Sequence, residues 1–85
     1  MSDFVILAVD DDIYSLENIK LSLNNPAYEV LTAVDSKEAE KILDKRKINL
    51  LITDYMLPCK NGLELAEYSL KNNLANYVIL ITGFG

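Results

Sequence analysis

The chain has 85 residues, of which 51% are hydrophobic and 25% charged, and its formal net charge is −5. That length allows one small domain with a modest core, and the composition excludes a disordered chain. The acidic balance argues against direct binding of nucleic acid, which needs clustered Lys and Arg.

Residues 4–9, FVILAV, are apolar throughout, as expected of a strand covered on both faces. Asp10, Asp11 and Asp12 end that run. Ile13, Leu16, Ile19 and Leu23 then fall at helical spacing. Asn24-Asn25-Pro26 stops the helix, because proline disfavours a helical conformation in the residue before it. Residues 28–33, YEVLTA, read as a second strand. Asp35 and Glu38 have the spacing of a capping box, with Ser36 an equally reasonable cap. Ala39, Ile42 and Leu43 form the buried face of the next helix, and Lys45-Arg46-Lys47 supply cations at its C-terminus.

Residues 48–53, INLLIT, make a third strand that delivers Asp54. The loop YMLPCKN follows and holds the lone Cys59, so no internal disulfide is possible. Gly62 opens a helix over roughly 63–72, with Leu63, Ala66 and Leu70 on one side and Asn72-Asn73 as terminators. Residues 77–82, YVILIT, are the fourth strand, and Gly83-Phe84-Gly85 come after it. No apolar run reaches the roughly 18–20 residues that span a bilayer, and the N-terminus does not resemble a secretory signal. A cytoplasmic location away from the membrane is the expectation.

Strands alternating with helices imply an α/β fold: a parallel sheet with right-handed crossovers and helices on both faces. Four strands and three helices make an incomplete flavodoxin-like, three-layer sheet. Ligands of such sheets bind at the carboxyl ends of the strands. Asp10, Asp11, Asp54 and Thr82 all fall there. Carboxylates brought together repel one another, and a hard cation such as Mg²⁺ relieves that repulsion. Taken singly, each residue has a plainer role. Asp12 suits an N-cap, Asp10 and Asp11 suit a helix N-terminus, Asp54 a loop, and Thr82 an ordinary strand.

Strand–Asp10-Asp11, strand–Asp54-Tyr55-Met56-Leu57-Pro58 with Gly62 following, and strand–Thr82-Gly83 together resemble the receiver domain of response regulators. The resemblance covers residues 1–85 as one receiver domain, cut short after its fourth strand. It implies that Asp54 is the phosphoacceptor and nucleophile. Mg²⁺ would be held by Asp11 directly, by Asp10 through water, by Asp54, and by the Met56 backbone carbonyl. Thr82 would be the switch hydroxyl, Gly83 the small residue that leaves room beside it, and Pro58 and Gly62 the residues that shape the loop. It further implies a sensor histidine kinase as phosphodonor, an effector domain beyond residue 85, and a signalling module rather than a classical enzyme.

The family pairs its phosphoryl group with a lysine on a fifth strand, and no lysine here matches. An unphosphorylated, receiver-like interaction module is therefore the alternative. A Mg²⁺-dependent phosphohydrolase fits less well, because Ile13 and Tyr14 follow the aspartates, and no glycine-rich turn marks a dinucleotide site. A strand order of 2-1-3-4 leaves the apolar fourth strand at an edge without Lys or Pro to discourage pairing. A homodimer through that strand is expected.

Overall fold

The computed structural model describes residues 4–57 and 61–81. Its elements run β1 (Phe4–Val9), α1 (Ile13–Ser22), β2 (Tyr28–Ala33), α2 (Ser36–Lys45), β3 (Ile48–Asp54), α3 (Gly62–Lys71) and β4 (Ala75–Ile81). The strands form one parallel sheet in the order β2-β1-β3-β4. The alternation seen in the sequence thus yields the expected α/β, flavodoxin-like arrangement.

Each helix starts on a side chain that satisfies otherwise orphaned backbone donors. Asp12 caps α1 by accepting from the Tyr14 amide at 3.0 Å, and Asp35 caps α2 by accepting from Glu38 at 2.8 Å. Asp35, not Ser36, is therefore the cap. Asn61 caps α3 in a reciprocal capping box: Glu64 donates its amide to Asn61 Oδ1, and the Asn61 amide donates to Glu64 Oε1.

One core cluster joins Val5, Leu7 and Val9 of β1 and Leu51 of β3 to Ala39 and Leu43 of α2 and Leu65 of α3. α2 and α3 thus share one face of the sheet. On the other face α1 presents buried Leu16 and half-buried Ile19 and Leu23. An open groove there is lined by Ile19, Leu23, Ile52, Ile79 and Ile81.

Three local expectations need correcting. Ile13, placed on the buried stripe of α1, is 64% exposed, because the first turn begins beyond the end of β1 with no strand beneath it. Leu63 and Leu70 of α3 are exposed, and the buried face is Gly62, Leu65, Ala66 and Ser69. β4 begins at Ala75 rather than Tyr77, because Ala75 pairs with Ile48 at the start of β3.

Candidate functional site

In register, Val9 lies beside Ala33 and Thr53, and Asp54 beside Ile81, so the strands end together. The chain leaving each strand is tied to its neighbour. The Asp10 amide donates to the Ala33 carbonyl at 3.1 Å and the Tyr55 amide to the Ile81 carbonyl at 2.8 Å. Whatever follows β1 and β3 therefore meets at one end of the sheet.

What meets there is carboxylate. One oxygen from each of Asp10, Asp11 and Asp54 lies within 4.8 Å of the others. Asp11 is exposed, whereas Asp10 and Asp54 are half-buried. Asp12, by contrast, is absorbed by capping, as its plainer reading had it, and its carboxylate also accepts from Ser15 Oγ at 3.3 Å. Asp10 Oδ1 accepts from the Asp12 amide at 2.9 Å, which fixes its orientation. Burial, and then the charges of Asp54, Asp11 and Asp12, raise the Asp10 carboxyl above its ordinary value, against the lowering effect of the Asp12 amide. A site that opposes ionisation of the Asp10 carboxylate is one that a cation stabilises.

The donor set fits Mg²⁺ on its chemistry. The three residues are hard oxygen donors. Octahedral ligands at about 2.1 Å lie roughly 3–4.2 Å apart, a spacing that three oxygens within the observed limit reach by small adjustments. Zinc and copper prefer nitrogen and sulfur, which Asp10, Asp11 and Asp54 do not offer.

The loop after Asp54 is shaped from both sides. The Met56 amide donates to Asp54 Oδ1 at 3.3 Å, while the Met56 side chain is exposed. Gly62 donates its amide to the Tyr55 carbonyl at 2.8 Å. A Cβ on Gly62 would lie 2.0 Å from the Asp54 carbonyl oxygen and 2.9 Å from the Tyr55 Cα. Both neighbours are backbone, so close approach rather than an unusual φ demands glycine here. Thr82 and Gly83, Pro58 and Cys59, and Phe84 fall outside the described residues.

Sequence reasoning overlooked Thr53. It is fully buried, and its hydroxyl donates to the Asp54 carbonyl at 3.1 Å. The available signal was a lone hydroxyl closing the otherwise mostly apolar run INLLIT, just before the key aspartate.

A sequence model of the response regulator receiver domain matches residues 6–85. The chain belongs to the response regulator receiver family. Among curated relatives it is 36% identical over 83 residues to the regulatory protein VanR of Enterococcus faecium, covering 98% of this chain and 35% of VanR. It is 39% identical over 62 residues to the phosphate regulon transcriptional regulatory protein PhoB of Pseudomonas aeruginosa, covering 73% of this chain and 27% of PhoB. The chain thus spans well under two-thirds of these relatives. Among solved structures, the response regulator TrrA of Thermotoga maritima, in complex with Mg²⁺ and BeF, is 34% identical with a TM-score of 0.82. That match covers 96% of this chain and 71% of TrrA. The non-phosphorylated HemR receiver domain of Leptospira biflexa is 31% identical with a TM-score of 0.82, covering 94% of this chain and 64% of that one. Receiver domains are signalling modules of two-component systems, and the fold and family agree with the resemblance first carried by the motifs. Among the described residues, no helix is long and apolar enough to cross a membrane.

Proposed function

We propose that this receiver domain, residues 1–85, takes a phosphoryl group from a sensor histidine kinase onto Asp54, with Mg²⁺ held by Asp10, Asp11, Asp54 and the Met56 carbonyl. The observation that carries the proposal is the convergence of three carboxylates from two strands within 4.8 Å. Bound Mg²⁺ would supply charge neutralisation for the transferred group and for the clustered carboxylates. In the transfer, an Asp54 carboxylate oxygen forms a bond to phosphorus and the P–N bond of the phosphohistidine breaks. The imidazole keeps that electron pair and the aspartyl phosphate carries the phosphoryl group. This chain's share is largely positioning. The Met56 amide orients one Asp54 oxygen, and Gly62 lets α3 approach the acceptor's backbone. Thr82 is assigned the hydroxyl that follows the phosphoryl group, Gly83 the space beside it, and Pro58 the turn of the loop.

Acetyl phosphate with Mg²⁺ should add one phosphoryl mass to the chain, and Asp54→Asn should prevent it, as read by intact mass. Labelling that survives in the variant would identify a different nucleophile. The reading of an unphosphorylated interaction module predicts no label, and the retained aspartate triplet argues against it. For partners, the curated relatives named as regulatory proteins, much longer than the matched region, support an effector segment outside it. Among the described residues β4 is an edge strand with an exposed apolar face, which supports pairing with a second copy.

A further inference from the structure

We infer that Thr53 is a positioning residue for Asp54: its buried hydroxyl locks the Asp54–Tyr55 peptide plane, one peptide before the amide that donates to the acceptor carboxylate. The inference rests on Asp54 being the phosphoacceptor. Thr53 sits in β3 between Val9 of β1 and Leu80 of β4, and it is 0% exposed. Packing between two aliphatic residues does not call for a hydroxyl there; valine has the same shape and favours strands equally. The hydroxyl has a specific use instead. It donates to the Asp54 carbonyl at 3.1 Å.

That carbonyl belongs to the peptide unit joining Asp54 to Tyr55, whose N–H donates to Ile81 at 2.8 Å. The same plane is therefore held at its oxygen by Thr53 and at its nitrogen by β4. Gly62 closes the third side, since a Cβ there would overlap the same carbonyl oxygen. One peptide further, the Met56 amide reaches back to Asp54 Oδ1 at 3.3 Å. Rotation of the first plane would swing the second and draw that amide off the carboxylate. Thr53 thus acts on the acceptor through main chain, without touching the reacting atoms.

Isosteric replacement separates this role from packing. In the 85-residue chain, Thr53→Val keeps the volume and removes the hydroxyl, whereas Thr53→Ser keeps the hydroxyl and loses a buried methyl. Labelling rate with acetyl phosphate at saturating Mg²⁺ and melting temperature are measured for both. Thr53→Val should melt at or near the parent temperature yet label on the order of tenfold more slowly, because small misplacement of a reacting group is costly. Thr53→Ser should melt lower but label within about threefold of the parent, because the donor remains. A purely structural residue would make labelling follow stability, which is the opposite ranking. Parent-like labelling by Thr53→Val, or equal slowing by Thr53→Ser, overturns the inference while leaving the phosphoacceptor assignment intact. If Thr53→Val does not fold, the Ser variant alone decides, by its labelling rate relative to the parent. An unlabelled parent chain overturns the assignment and this inference together.

Discussion

The tripeptide Val-Ile-Leu occurs twice in the sheet, as Val5-Ile6-Leu7 in β1 and as Val78-Ile79-Leu80 in β4. Ile6 is 1% exposed and Ile79 is 50% exposed. Among the described residues β1 pairs with a strand on each side, whereas β4 pairs only with β3. α1 lies over β1, but an open groove lies between it and Ile79 and Ile81. Identical residues in identical local geometry therefore have different surroundings. An apolar run states what a strand can bury; its place in the sheet decides what it does bury.

The sharpest way to break this comparison is to truncate both strands. Leu7→Ala should cost about 2–5 kcal/mol, a large share of a small domain's stability, read from the shift in urea midpoint. Ile79→Ala should cost less than about 1 kcal/mol, since half of the side chain already meets solvent. Equal losses would show that the groove closes in solution. Metal would sharpen the contrast further, because its proposed carboxylate ligands follow β1 and end β3, and none lies on the described part of β4. Mg²⁺ at one hundred times its dissociation constant should stabilise the fold by roughly 2.7 kcal/mol, and Asp11→Ala should remove most of the rise in melting temperature.

Gly62→Ala tests the close packing of α3 on the end of β3. Its new Cβ meets backbone, so a loss of about 1–3 kcal/mol is expected together with slower phosphoryl labelling. Ile79→Lys places a charge on the free edge. Light scattering on a sizing column should show a dimer for the parent and a monomer for the variant, and the parent's melting temperature, unlike the variant's, should rise with protein concentration. A monomeric parent would mean that the β4 edge is harmless.

The smallest effect is expected at Asp10. Its raised value means that the stability contributed by the protonated form is fully present below the ordinary 3.8 and is lost as pH rises through the folded-state value. Without metal at neutral pH, Asp10→Asn should therefore raise the melting temperature slightly. At pH 3 that advantage should vanish. A variant that melts lower at neutral pH would mean that the Asp12 contact outweighs charge repulsion.

Much of this molecule is determined within a few residues of each position. β2 runs from Tyr28 to Ala33 in both the sequence reading and the structure, because a short run of strand-forming residues bounded by turn residues is a local signal. The Asp35 cap is local too, and so is the delivery of Asp10, Asp11 and Asp54 to strand ends. Parallel connectivity alone then puts those ends on one side of the sheet. Tertiary structure decided what depends on contact. Leucine spacing in α3 suggested a face of Leu63, Ala66 and Leu70, yet the helix turns Gly62, Leu65, Ala66 and Ser69 inward. The rotation follows the approach of Gly62 to the Asp54 carbonyl, and small residues on that face permit it. Pairing with β3 moved the start of β4 to Ala75, and the same pairing left Ile79 half exposed. The partner of the Thr53 hydroxyl was likewise invisible beforehand, because a hydroxyl's partner depends on three-dimensional proximity and not on residue type.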